Sequence, residues 1–205
     1  MRRLGIWTIV ILTALISSAV TSAFWLMAFN RGPVGTAPEP RQTEAQEAPT
    51  RAELEIGPSG LAIPVAGIQP EALANTYQAA RSGGRVHNAI DIMAPHGTPV
   101  LASAPGVVEK LFFSQGGGGI SVYVRSPDKQ WIFYYAHLEA YAPGLKEGQA
   151  VKQGDVLGTV GSTGNASPSG PHLHFAVNKM APGDDWHDGS PINPYPLLAG
   201  KAADR

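Results

Sequence analysis

Between Ala89 and Val177 the chain alternates short apolar runs with clusters of turn-forming residues. The runs Ala89–Met93, Pro99–Ala102, Gly106–Phe113, Ile120–Arg125, Trp131–Tyr135, Val156–Val160 and His172–Val177 have the length and β-branched or aromatic content of strands. The punctuation between them is "APHGTP", "QGGGG", "SPDKQ" and "GSTGNASPSGP", all rich in Gly, Pro, Asn and Ser. No long helical period intervenes. The predicted fold is therefore mostly β, an antiparallel sandwich or barrel-like sheet. The last run, "GPHLHFAV" (Gly170–Val177), alternates most clearly. On a strand His172 and His174 stand on one face, while Leu173, Phe175 and Val177 point the other way into a core.

The N-terminal pattern is different. From Leu4 to Phe29 no residue is charged, and Arg2 and Arg3 precede the run. A helix of that length, at about 1.5 Å per residue, crosses a hydrocarbon core about 30 Å thick. The flanking arginines favour keeping the N-terminus in the cytoplasm, so the remainder is expected outside it. Thr21-Ser22-Ala23 would serve as a cleavage site for a signal peptide, yet the apolar run continues through Phe24–Met27, longer than a usual signal core. We expect an uncleaved anchor over 1–29, with secretion after cleavage as the alternative. Residues 30–60 are rich in Pro, Glu, Gln and Ala and read as a solvated tether. The folded domain is expected over 61–198, with a short helix starting at Pro70 and ending before "SGGR", a Pro-rich "DGSPINPYPLL" along the outside, and a tail over 199–205.

Composition narrows the chemistry. The apolar fraction of 43% suffices for a packed core, and 24 Gly with 18 Pro fits a turn-rich β architecture. A net charge of −1 gives no reason to expect nucleic acid as a partner. With no cysteine, disulfides and thiolate metal sites are excluded, so any metal must take His and carboxylate ligands.

Such ligands are present. In "RVHNAIDIMAP" His87, Ala89 and Asp91 would share a strand face, leaving Ile90 and Ile92 for the core. His137 follows the aromatic run in "FYYAHLEAY". Two His and one Asp with a water completing the shell make a common catalytic zinc centre, and two further imidazoles can handle protons or a developing oxyanion. Spacing alone does not say which imidazoles bind metal; taken singly, each motif also fits a structural hydrogen bond. His96 and His187 sit among Pro, Gly and Asp and are expected to be solvated.

Three segments in order, "RVHNAIDIMAPHGTPVLASAPGVV", "YYAHL" and "GQAVKQGDVLGTVGSTGNASPSGPHLHFAV", resemble the lysostaphin-type (LytM) zinc metallopeptidases, which cut peptidoglycan peptides. The resemblance runs from about Leu61 to Val177. It implies one Zn2+ held by His87, Asp91 and His174, with His137 and His172 as the catalytic pair, and a zinc-bound water attacking a peptide carbonyl without a covalent intermediate. It also implies peptidoglycan cross-bridges as substrate and, with the anchor, a site at the cytoplasmic membrane facing outward, the periplasm in a two-membrane bacterium. The pattern departs at Ala89, where the family usually carries glycine and where a methyl group would narrow the cleft. It departs again at Ala176, where an acidic residue is frequent. The Gly-rich "SQGGGG" and "GSTGNASPSG" would wall a groove for an extended peptide, or else serve simply as hairpin loops.

Rival readings come from other classes. Relatives lacking catalysis act as regulators, binding the wall or a protein partner, though this chain keeps all five positions. "LKEGQAVKQGDVLGTVGS" resembles the paired turns of biotinyl and lipoyl carriers, but no Lys sits in the required hairpin context. A His-carboxylate-His set also serves non-haem iron oxygenases, and His-x-His opens the metal motif of cupins, whose downstream Glu is absent here.

Overall fold

The computed structural model describes residues 54–81 and 84–200. The anchor expected over 1–29 and most of the tether lie outside the described residues. Among the described residues no helix is long and apolar enough to cross a membrane.

Among the described residues nine strands follow in chain order: β1 (Ile90–Met93), β2 (Pro99–Leu101), β3 (Gly106–Ser114), β4 (Gly119–Arg125), β5 (Trp131–Tyr141), β6 (Ala150–Val151), β7 (Val156–Val160), β8 (His172–Lys179) and β9 (Ser190–Ile192). Every expected strand is present. The two-residue β6 and the Pro-containing β9 were too short or too proline-rich to predict. The short helix expected at Pro70 is only a 3-10 turn, Pro70–Ala72. No side chain caps it, and Leu73 turns to extended backbone as its side chain enters the core.

All pairings are antiparallel, and the bonded network is one continuous sheet in the order β1-β8-β5-β4-β3-β6. It branches at β5, which also pairs β7, and β7 in turn pairs β2. The first half of β5 lies beside β8, from Trp131↔Lys179 to Ala136↔His174; from Leu138 onward it lies beside β7. Between those halves β5 carries one extra residue opposite Ile120–Val122 of β4, a bulge in which His137 has φ 60°. Val100, Leu157 and Val160 from the β2–β7 branch share one buried cluster with Ile92, Val122, Tyr135, Leu173 and Phe175. The branch therefore contributes to the same core as the main sheet, and the fold is mostly β and antiparallel as the sequence pattern predicts.

Tyr135 is fully buried at the centre of this cluster, and its hydroxyl accepts a hydrogen bond from Ser103 N–H at 2.9 Å. Burial pushes the phenol pKa up to about 12. Tyr135→Phe leaves that amide without its acceptor and is expected to cost about 1–3 kcal/mol in chemical denaturation, with little loss of packing.

Residues 54–60, expected as tether, are packed. Ile56 bridges to Ala62, and Ser59 Oγ donates to Leu197 O at 2.7 Å. Gly57 lies so close to the backbone of Leu198 that no Cβ would fit. Leu197 and Leu198 belong to a helix, α1 (Tyr195–Ala199), which starts with Pro in its first turn and ends at Gly200 with φ 66°. The Pro-rich C-terminal segment thus closes the core with Tyr195 and Leu198 as well as running along the outside.

Candidate metal centre

β8 presents His172 and His174 on one face as its alternation dictates, with Leu173, Phe175 and Val177 buried behind. Asp91 sits directly opposite His174 in the β1–β8 register. His87 arrives differently from the expected strand alternation. It precedes β1, and Asn88, with φ 56°, turns the chain between them. That left-handed residue breaks the period of two. Ala89 is consequently buried in the core and does not line the cleft, so its methyl group does not narrow it.

The three side chains converge. His87 Nε2 lies 2.9 Å from Asp91 Oδ1 and 2.9 Å from His174 Nδ1, and His174 Nδ1 lies 3.3 Å from the same carboxylate oxygen. His87 Nδ1 is 2.8 Å from Thr76 O, which can only accept, so the proton is on Nδ1 and Nε2 offers a lone pair. A lone pair on His87 and a carboxylate oxygen 2.9 Å apart repel unless a cation lies between them. Three donor atoms within 4.8 Å of one another, two nitrogens and one oxygen, are a set that can hold a metal ion and suit zinc. The chemistry of the donor set therefore fits the metal that the sequence implies.

The residues supporting these ligands lie on the segment before β1, and sequence reasoning did not single them out. Thr76 uses both its oxygens: its carbonyl fixes His87 and its Oγ1 accepts from Asp91 N–H at 2.9 Å. Arg81 Nη2 donates to Asp91 Oδ2 at 2.5 Å, so the second carboxylate oxygen is taken and Oδ1 alone faces the histidines. Burial opposes ionisation of Asp91. The close ring nitrogens of His174 and His87 and the hydrogen bond from Arg81 outweigh it and hold the carboxyl well below the usual range.

His137 and His172 flank the ligands, their rings 5.0 Å apart, and His137 lies 5.6 Å from His174. Each is pinned in the same way, His137 Nδ1 on Thr163 O and His172 Nδ1 on Gly170 O, both at 2.8 Å. Both Nε2 atoms are thereby left as acceptors, and that of His172 is 3.7 Å from Asp91 Oδ1. Burial is the main force pushing the His137 pKa down, to about 4. It lowers His174 as well. These imidazoles stay neutral in the native protein while the unfolded chain takes up protons below about pH 6.5. Stability of the metal-free protein is therefore complete above pH 6.5 and falls as pH drops towards 4, by about 1–3 kcal/mol from His137 alone. Denaturation of chelator-treated protein across that range checks it; stability constant from pH 7 to 4 contradicts it.

His96 and His187 lie apart from this centre, largely exposed as expected; His96 faces Glu139 at 3.6 Å and His187 packs on Trp186. The Gly-rich loops do form a wall. A cleft of about 650 Å³ has Gly117, Gly118 and Asn165–Ser167 on one side, Ala80–Arg81 and Arg85–Val86 on the other, and His87, His137, His172 and His174 at its floor.

The sequence from residue 85 to 194 matches the family model for peptidase family M23. The chain belongs to peptidase family M23. An L-Ala–D-Glu endopeptidase of Bacillus subtilis (strain 168) is 36% identical over 121 residues, covering 57% of this chain and 35% of that protein. The peptidoglycan DD-endopeptidase ShyC of Vibrio cholerae is 42% identical over 91 residues, 44% of this chain and 20% of that one. The chain thus spans about a third or less of the length of these M23 relatives. The catalytic domain of lysostaphin from Staphylococcus simulans superposes with a TM-score of 0.53 at 30% identity, covering 61% of this chain and 90% of that domain. The M23 chain shares the fold of that domain.

Proposed function

We propose that this M23 chain is a zinc metalloendopeptidase that hydrolyses peptide cross-bridges of bacterial peptidoglycan, exported and held by its N-terminal segment at the outward face of the cytoplasmic membrane. The observation that carries the reading is the convergence of His87, Asp91 and His174 on one point, with His87 and His174 on the floor of an open cleft and two further imidazoles beside them. Zinc in that donor set supplies a polarised carbonyl and a water acidic enough to attack near neutral pH.

The chain's own groups do the rest. His137 and His172, each anchored through Nδ1–H, present Nε2 lone pairs at the floor of the cleft. One imidazole accepts the proton of the attacking water as the new C–O bond forms. Once protonated, an imidazole at this position is a donor, and it returns the proton to the leaving nitrogen as the C–N bond breaks. Gly117 and Gly118 let a peptide backbone approach that part of the wall without meeting a side chain of their own. The proposal is tested by incubating purified cross-linked peptidoglycan with the zinc-loaded full-length protein and measuring soluble muropeptides. Release by the parent, absent in His172→Ala, supports hydrolysis, and the product masses name the bond. No release at stoichiometric zinc favours a regulatory role instead.

A further inference from the structure

Asp91 and His174 are held together by the β1–β8 register, but His87 stands before β1 and outside that pairing. It depends instead on residues 75–81. Thr76 O holds His87 Nδ1 at 2.8 Å, and Ala79 O accepts from His87 N–H at 3.1 Å. Tyr77 O accepts from the N–H of the left-handed Asn88 at 2.9 Å. The same stretch is fastened on its other side to the C-terminal part of the chain. Tyr77 Oη donates to Pro191 O of β9 at 3.0 Å, and Asn193 Nδ2 donates to Asn75 Oδ1 at 3.4 Å. β9 is no distant element. β5 takes one edge of β8, and the other edge is shared end to end by β1, at residues 172–175, and β9, at residues 177–179. Tyr77 therefore spans from the turn that carries His87 to a strand bonded to the one that carries His174, and its hydroxyl contact involves none of the three ligands.

We propose that Tyr77 is a positioning residue for the metal centre: by fastening residues 75–81 to β9 it holds His87 where the donor set converges. The inference rests on the metal-site reading above and deepens it, since metal retention then depends on a contact remote from every ligand. The repulsion between His87 Nε2 and Asp91 Oδ1, 2.9 Å apart, supplies the reason. Without a cation it favours moving His87 away, so the converged arrangement is a balance to which each fastening contributes. A metal ion binds only the molecules in which all three donors converge, and its apparent affinity falls with their fraction. One hydrogen bond shifts such a balance by about three- to tenfold.

The test measures zinc affinity of the full-length protein by competition with a chromogenic chelator, with no substrate present. Tyr77→Phe keeps the ring and loses the hydroxyl. It is expected to weaken zinc binding about three- to tenfold and to leave kcat unchanged once zinc saturates. Tyr135→Phe, which loses a hydroxyl in the core away from this stretch, is the control: it lowers stability in urea and is expected to leave zinc affinity as it is. Equal zinc affinity in the parent and Tyr77→Phe overturns the inference. So does an equal loss in Tyr135→Phe, which marks a general loosening of the fold. A fall in kcat at saturating zinc also overturns it, since Tyr77 would then act on the reaction and not on the ligands. Zinc binding weakened by Tyr77→Phe in a protein that cleaves no peptidoglycan supports the inference and sinks the hydrolase reading alone. A parent that binds no zinc overturns the metal-site reading and this inference with it.

Discussion

His174→Ala is expected to empty the metal site, whereas His172→Ala keeps its metal and loses turnover. The two imidazoles are a single residue apart on β8 and share a face, so the contrast comes from their partners. His174 Nδ1 points at Asp91 Oδ1 and His87 Nε2, the other two members of the donor set. Removing it leaves two ligands, too few to hold zinc against a chelator. His172 is bound through Nδ1 to Gly170 O, and its Nε2 is 3.7 Å from Asp91, beyond direct hydrogen bonding. Its loss spares the donor set and removes a proton-transfer group, lowering kcat by about 10²–10⁴-fold. Zinc content after dialysis against a weak chelator, with muropeptide release on the same samples, separates the two. Equal metal loss in both variants would overturn the division of roles.

Gly119→Ala carries the largest expected cost in stability. Gly119 opens β4 with φ +63°, and a Cβ there would fall 2.2 Å from Thr163 Oγ1 and 2.4 Å from the Thr163 carbonyl carbon. Both the backbone conformation and the space exclude a side chain. The neighbourhood is a clasp between the two Gly-rich loops. Thr163 Oγ1 donates to Leu138 O and accepts from Ile120 N–H, while Asn165 N–H donates to Gly117 O. His137 is held inside the clasp, its N–H on Gly118 O at 2.7 Å and its Nδ1 on Thr163 O. The substitution is expected to destabilise the protein by about 3–5 kcal/mol and, where it folds, to displace His137 and abolish turnover. Urea denaturation measures the first effect, and a loss below about 1 kcal/mol would show that the loops yield freely.

Much of this was legible in the chain because it depends on a period of two. Wherever a strand carries alternating side chains, position along the sequence fixes the face, which is why His172 and His174 were correctly placed beside each other with Leu173 and Phe175 behind. The same rule misled at Ala89, because one left-handed residue, Asn88, inverts the alternation, and Asn favours that conformation more than most residues without requiring it. His137 was expected beyond its strand and lies within β5, at a bulge that only the register of β4 and β7 can define. Thr76, Arg81 and Thr163 escaped notice for a related reason. Each acts through a contact with a residue distant along the chain, and a threonine in a loop looks the same whether it holds a histidine or faces water. The Gly-rich loops were read as groove walls, and they are; their tight interlocking follows from backbone approaches that composition does not encode.

The support for the metal ligands from outside the sheet bears on how such a centre can change over evolution. Thr76 and Arg81 touch His87 and Asp91 from a stretch containing no strand, so substitutions there alter ligand orientation and charge balance while leaving the pairings between the nine strands intact. Outer-shell partners of this kind are worth about 10- to 100-fold in metal affinity. Mutation can therefore tune metal retention in this chain over that range at little expense to the scaffold. The separation lets a lineage drift between metal-loaded and metal-poor forms on one unchanged framework.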